Sequence, residues 1–212
     1  MNIRTQLITN NRPRTPMEPQ YVTMHNTGNA DSTAQNNRDY FANHPEKEVS
    51  AQWVVDDKEA ILCVPENEVA WHAGTLGNRQ SIGIEVCEFT DPARHEQSYQ
   101  NAVKLVADIL KRHGWGVDRV TTHKRWTGKQ CPWRILPIWP KFLSDVGNAL
   151  RQPKVIVNGR PVSIPAKLVN GRTYVLLDGE TGASWVQIRA LAALLNATLT
   201  WDEPTLTAKL TI

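Results

Sequence analysis

At 212 residues the chain can hold one large domain, or a medium domain followed by a small one. With 41% hydrophobic and 21% charged residues it has a globular composition rather than a disordered one. No apolar run approaches the ~20 residues needed to cross a bilayer, so membrane insertion is not expected. The net charge of +3 is unevenly placed. Residues 1–150 carry 17 Lys/Arg and 17 Asp/Glu, whereas residues 151–212 carry 7 and 4. That surplus points the C-terminal segment toward an anionic polymer, and no nucleic-acid partner is expected.

The N-terminus lacks a basic segment followed by an apolar one, so no secretory signal is read and a cytoplasmic product, released by another route, is expected. Arg12-Pro13-Arg14-Thr15-Pro16 reads as extended chain. Tyr21 to His25 alternates and is β-rich, a strand that leaves His25 at its exit before Asn26-Thr27-Gly28-Asn29. Ser32 and Gln35 make a capping-box pattern ahead of a helix to about Asn43. Gln52–Val55 and Ala60–Val64 are apolar runs around Asp56-Asp57-Lys58-Glu59, a hairpin signal. Glu66 to Gln80 is rich in turn residues and holds Trp71-His72-Ala73-Gly74. Ser81 to Cys87 reads as a strand interrupted by one carboxylate, Glu85.

Tyr99, Ala102, Val103, Val106, Ile109 and Leu110 recur at helical spacing between His95 and His113, with Gly114 as the stop. Arg119 to Thr122 is a short strand that delivers His123. From there to Pro132 the chain reads as a loop, because Gly128 breaks a helix and Pro132 biases Cys131 away from helical geometry. Ile138 to Leu150 is a second amphipathic helix. After Gln152-Pro153 the texture changes. Asn158-Gly159 and Asn170-Gly171 mark two hairpins, Ser184 to Leu195 reads as a helix, and strands follow near 198–201 and 206–212.

Cys63 and Cys87 sit in apolar strand-like runs and read as buried thiols. Three cysteines without a signal argue against a disulfide framework. Cys131 differs, because it shares a polar loop with His123 and Lys129. Together with strand-end His25, these residues supply two imidazoles and a thiolate. That is the composition of a catalytic zinc with one open position. Glu85 is costly to bury without a task, which makes it a candidate general base toward a zinc-activated water. Lys129 is a candidate cation beside a developing oxyanion.

Four stretches carry a family resemblance: Met24-His25-Asn26-Thr27, Trp71-His72-Ala73-Gly74, Ser81-Ile82-Gly83-Ile84-Glu85, and Thr122-His123-Lys124 through Gly128-Lys129-Gln130-Cys131-Pro132. In this order they resemble the zinc-dependent N-acetylmuramoyl-L-alanine amidases of the phage-lysozyme and peptidoglycan-recognition-protein type. Within these the likeness is to endolysins and prophage amidases of spore-forming Gram-positive bacteria. The resemblance implies zinc on His25, His123 and Cys131, acid/base catalysis by Glu85 and oxyanion stabilisation by Lys129. The implied substrate is Gram-positive peptidoglycan, cut between the lactyl group of N-acetylmuramic acid and L-alanine. Many relatives carry a catalytic tyrosine where this chain has Ala51, so that work falls to Glu85. In the C-terminal segment, Trp185-Val186-Gln187-Ile188-Arg189-Ala190-Leu191-Ala192 and Ala197-Thr198-Leu199-Thr200-Trp201-Asp202 resemble the small domain found at the N-termini of copper amine oxidases and as a stalk in bacterial surface proteins. This segment offers no copper ligands.

The bland alternatives are definite. Cys131 could serve as a thiol nucleophile with His123 as base, Glu85 could only orient a ligand, and Lys129 could be a solvated loop residue. Trp71 and His72 either line the substrate groove or pack under a loop. Trp126 and Trp133 either stack on sugar or fill core. A binding protein that recognises peptidoglycan without cutting it is the rival function. The expected architecture is α/β: a mixed central β-sheet flanked by helices over residues 1–151, then a small α+β domain over 154–212 that attaches to the wall.

Overall fold

The computed structural model describes residues 1–150, 154–158, 160–162, 166–169, 172–179, 182–202 and 207–211. They divide into two units, Met1–Gly147 and Asn148–Ile212.

The first unit is built on a mixed six-stranded sheet. In chain order its strands are β1 (Asn2–Thr5), β2 (Tyr21–Asn26), β3 (Trp53–Val55), β4 (Glu59–Leu62), β5 (Ser81–Val86) and β6 (Val120–Thr122). In space they follow the order β1-β4-β3-β5-β2-β6. β3 and β4 form the expected hairpin and pair antiparallel. The other neighbours pair parallel, so β3, β5, β2 and β6 all end at one edge of the sheet. Parallel strands need crossovers, and helices supply them. These are α1 (Ala34–Asn43), α2 (Gly74–Gln80) and α3 (Pro92–His113), followed by α4 (His123–Thr127) and α5 (Trp139–Leu150).

Consecutive residues Val54 and Val55 on β3, and Ala60 and Ile61 on β4, are fully buried. Successive strand residues point to opposite faces, so both faces of this pair are covered. α1 and α3 both pack against it. Phe41 of α1 joins Val54, Ile61 and Ala51 in one cluster with Cys63 and Cys87, which makes those two thiols the buried pair expected. Each such aliphatic side chain contributes on the order of 1.5–3 kcal/mol by leaving water. α3 buries the residues its period marked, Tyr99 through Leu110, and ends on Gly114 at φ 68°.

Several local expectations shift. The capping box of α1 sits on Thr33 and Asn36, one residue beyond Ser32 and Gln35. This register lets the Ala34 N–H donate to Asp56 Oδ2 at 2.8 Å, tying the helix start to the β3–β4 turn. The segment after β6 is not a bare loop. Thr122 accepts from the Arg125 N–H and caps the one-turn helix α4, and Gly128 at φ 81° closes it. The glycine therefore acts as the helix stop, not as its breaker. β1 has no sequence signal. It is an exposed edge strand held by Arg4, whose guanidinium bonds both oxygens of Glu59.

The second unit holds a three-stranded antiparallel sheet and a four-stranded mixed one. The first contains β9 (Ala166–Val169), β10 (Arg172–Gly179) and β11 (Gly182–Gln187). The second contains β7 (Lys154–Val157), β8 (Arg160–Val162), β12 (Thr198–Asp202) and β13 (Thr207–Thr211). β7–β8 and β9–β10 pair antiparallel, as two hairpins would, although residues 159 and 170–171 of their turns lie outside the described residues. Residues 206 and 212 of the last expected strand also lie outside them. The helix expected from Ser184 begins only at Ile188, as α6 (Ile188–Leu194). Ser184 to Gln187 instead pair with β10, so ladder bonding takes the first four residues of the expected helix. Ile188 and Ala192 of α6 pack with Ala208 and Leu210.

Candidate metal centre

The common edge of the parallel strands is where ligands bind in open α/β sheets, and three predicted ligands meet there. His25 is the next-to-last residue of β2. His123 follows β6 directly and opens α4. Cys131 returns from the far side of Gly128, held where its carbonyl accepts from the Lys124 N–H at 3.0 Å. The Cys131–Pro132 peptide is cis. One donor atom from each of His25, His123 and Cys131 falls within 4.8 Å of the others, and all three residues are buried. His25 Nδ1 lies 3.1 Å from His123 Nδ1 and 3.6 Å from Cys131 Sγ.

Glu85 pairs with His25 in the β2–β5 register. Its Oε1 is 3.9 Å from His25 Nδ1, while its side chain is 17% exposed. Its other oxygen, Oε2, is buried and has no hydrogen-bond partner among the described residues. Burial pushes this carboxyl up to about 7, against the pull of Lys129.

Burial also keeps the imidazoles neutral. It drives His25 well below its ordinary value, with His72, His123 and Lys129 adding to the effect. His123 falls to about 4, through burial and then Lys129. The Cys131 thiol is pushed up to about 11 by burial and by Glu85, and the Asn26 N–H pulls the other way. Two uncharged imidazoles and a thiol, packed against a carboxylate oxygen without a partner, form a donor set that suits zinc. A cation there would offset the cost of a buried thiolate.

Lys129 is exposed, yet its charge reaches His25, His123, Glu85 and Cys131. Trp71 and His72 line a cavity with Glu48, Gly74 and Asn78. His72 is also tied inward, its Nδ1 3.0 Å from His25 Nε2. Trp133 is exposed and Trp126 half-buried; the Trp126 indole donates to Thr23 Oγ1. Ala51 is fully buried in the core.

Two supports escaped the sequence reading. Asn26 accepts the Arg134 N–H on its side-chain oxygen at 3.0 Å and aims its own N–H at Cys131. Glu88, nearly fully buried, accepts from the Gly28 N–H and from the Trp133 indole. Both hold the Cys131–Arg134 segment against β2 and the loop after β5. Glu88 could have been noticed as a second carboxylate in the run Val86-Cys87-Glu88-Phe89.

The family profile of N-acetylmuramoyl-L-alanine amidase matches residues 15–134. The chain is similar to the N-acetylmuramoyl-L-alanine amidase CwlA of Bacillus subtilis, 44% identical over 126 residues, covering 57% of this chain and 46% of that one. It is similar to CwlL of Bacillus licheniformis, 37% identical over 194 residues, covering 83% of this chain and 52% of that one. Among solved structures it resembles the catalytic domain of XlyA, a Bacillus subtilis amidase, with TM-score 0.65 and 37% identity over 69% of this chain and 100% of that one. The chain spans about half the length of the curated relatives it matches. With a matched segment that runs from ahead of β2 to just past Cys131, the chain belongs to the N-acetylmuramoyl-L-alanine amidase family.

Proposed function

We propose that this chain hydrolyses peptidoglycan at the amide joining the lactyl group of N-acetylmuramic acid to L-alanine, with zinc held by His25, His123 and Cys131. The observation that carries this reading is the convergence of those three donors within 4.8 Å, beside a carboxylate 3.9 Å from His25. Bound there, zinc would supply Lewis acidity toward a carbonyl oxygen and toward water.

Glu85 takes the proton of the attacking water and returns it to the departing nitrogen. Water adds to the carbonyl carbon, the C–N bond breaks, and the products are a lactyl carboxylate and a free L-alanine amine. A carboxyl titrating near 7 can do both halves of that transfer at neutral pH. Ala51 has no acid/base group, so that work falls to Glu85. Lys129 brings the positive charge that meets the developing oxyanion. Trp71 and His72 wall the cavity that would receive the glycan-linked peptide.

The second unit is read as a wall-attachment module, supported by the surplus of basic residues over 151–212 and by its separate core. Anionic polymers of the Gram-positive wall are its proposed ligand.

The test is to incubate the purified chain with Gram-positive sacculi. New amino groups from L-alanine should appear, and Cys131→Ser should not produce them. A protein that pelleted with the wall and released no amines would be a binder, and the hydrolytic reading would fail.

A further inference from the structure

We propose that His72 is a positioning residue for the metal centre: it fixes which ring nitrogen His25 turns, bare, toward His123 and Cys131. The inference rests on the reading of His25 as a ligand given above, and it adds a partner that sets that ligand's tautomer.

The argument follows hydrogens. His72 Nε2 lies 3.2 Å from the carbonyl oxygen of Ser81. A carbonyl can only accept, so this nitrogen carries the proton. A neutral imidazole has one N–H, which leaves His72 Nδ1 as an acceptor. That atom sits 3.0 Å from His25 Nε2, so His25 must donate there. The lone pair of a neutral His25 is then on Nδ1, the atom that faces His123 Nδ1 at 3.1 Å and Cys131 Sγ at 3.6 Å. One backbone carbonyl thus sets two tautomers in series. Ligating histidines generally need such an outer partner to fix ring and tautomer. Here the partner is another imidazole instead of a carboxylate.

The surroundings are built around this ring. Asn78 Oδ1 accepts from the N–H groups of both His72 and Ala73, at 2.8 and 2.7 Å. On β5, Gly83 leaves the space the ring fills. A Cβ at that position would lie 2.7 Å from His72 Cγ and 2.8 Å from its Nδ1. The rings of His72 and His25 meet edge to face, with centroids 5.1 Å apart and planes at 88°. His72 itself is 9% exposed, so water does not readily replace it as the acceptor for His25.

The experiment compares full-length wild type, His72→Leu and His72→Asn, with zinc affinity read by competition against a coloured chelator. Leucine removes the acceptor. Asparagine places its Oδ1 where the imidazole Nδ1 was. His72→Leu should weaken zinc binding about 10–100-fold, and His72→Asn should recover most of that loss. Equal affinity in all three proteins, or equal weakening in both variants, overturns the proposal. If His72→Leu does not fold, nitrogen-15 spectra of the wild type decide: protons on Nε2 of both His25 and His72 support the relay, and a proton on Nδ1 of either overturns it. Wild type that binds no stoichiometric zinc is a different result, because it removes the ligand reading itself.

Discussion

His25 and Glu85 occupy the same rung of adjacent parallel strands, and their side chains meet at 3.9 Å between Nδ1 and Oε1. In a sheet, paired residues project to the same face, so one register places a ligand and a candidate base side by side. A slip of one residue would send Glu85 to the opposite face.

Glu85→Gln keeps the shape of the side chain and removes its basicity. It should retain stoichiometric zinc and lose at least ~10²-fold in kcat. The base form is needed at the start of turnover, so wild-type kcat/KM should fall as pH drops through an apparent pKa at or below about 7, since a nearby dication favours the carboxylate. That acidic limb should flatten in Glu85→Gln. A variant with wild-type rate would remove Glu85 from the chemistry.

Cys131→Ser changes one buried atom in a segment otherwise held by Asn26, Glu88 and the Lys124 N–H. The fold should persist, with unchanged circular dichroism. Zinc content should drop and release of L-alanine amines should cease, because serine is a poor substitute for a thiolate at zinc. Elemental analysis of the purified variant checks this.

Three neutral buried histidines make the chelated protein acid-sensitive. His25, His72 and His123 are all held below the ordinary value of 6.5, His72 down to about 3 and His123 to about 4. The unfolded chain therefore binds more protons as pH falls below ~6.5, and each such histidine removes roughly 1.4 kcal/mol of stability per pH unit. Glu85 opposes this, because its raised value adds stability at low pH that is lost as pH rises through about 7. Three sites outweigh one. Urea midpoints after chelation should fall between pH 6.5 and 4.5, and constant midpoints over that range would contradict the buried neutral cluster.

Much of this arrangement was legible beforehand, and most of the exceptions have a common cause. β2, the β3–β4 hairpin, β5 and α3 each declare themselves by local periodicity, and Gly114 marks a stop that needs a left-handed residue. His25, His123 and Cys131 stood out as ligand types at strand ends and in a polar loop. Three features depend on partners distant in sequence. β1 exists through pairing with β4, the Thr33 cap is fixed by the contact between Ala34 and Asp56, and the inward bond of His72 by a strand pair that places β2 beside β5. No window of a dozen residues contains that information. Ser184–Gln187 are a different case: they are strand through a local hairpin with β10, which competes with the apolar pattern of the helix that follows.

Gly83→Ala tests the packing around His72. The backbone at Gly83 is ordinary strand, so the cost comes from the new methyl pressing the imidazole at 2.7 Å. Overpacking of this kind costs about 1–3 kcal/mol. The denaturant midpoint should shift accordingly, and zinc affinity should weaken as the ring is pushed from His25. An alanine variant with native stability and affinity would mean that the ring has room to move.

Cutting the chain after Leu150 separates the roles proposed for the two units. α5 belongs with the first unit's core: Phe142 is fully buried, its ring stacks edge-on to Tyr99 at 5.7 Å, and Tyr99 donates to Asp145 at 2.7 Å. Keeping the helix whole therefore preserves the packing behind α3. Residues 1–150 also carry balanced charge, so the truncation removes the basic surplus and leaves the metal centre intact. The shortened chain should fold, bind one zinc, and cleave a soluble muropeptide within a few-fold of the full chain. Its pelleting with Gram-positive walls should weaken, and added salt should weaken the full chain's pelleting more than the fragment's, because screening acts on the basic surplus that the fragment lacks. If fragment and full chain pellet equally at every salt concentration, residues 151–212 do not attach the enzyme to the wall through charge.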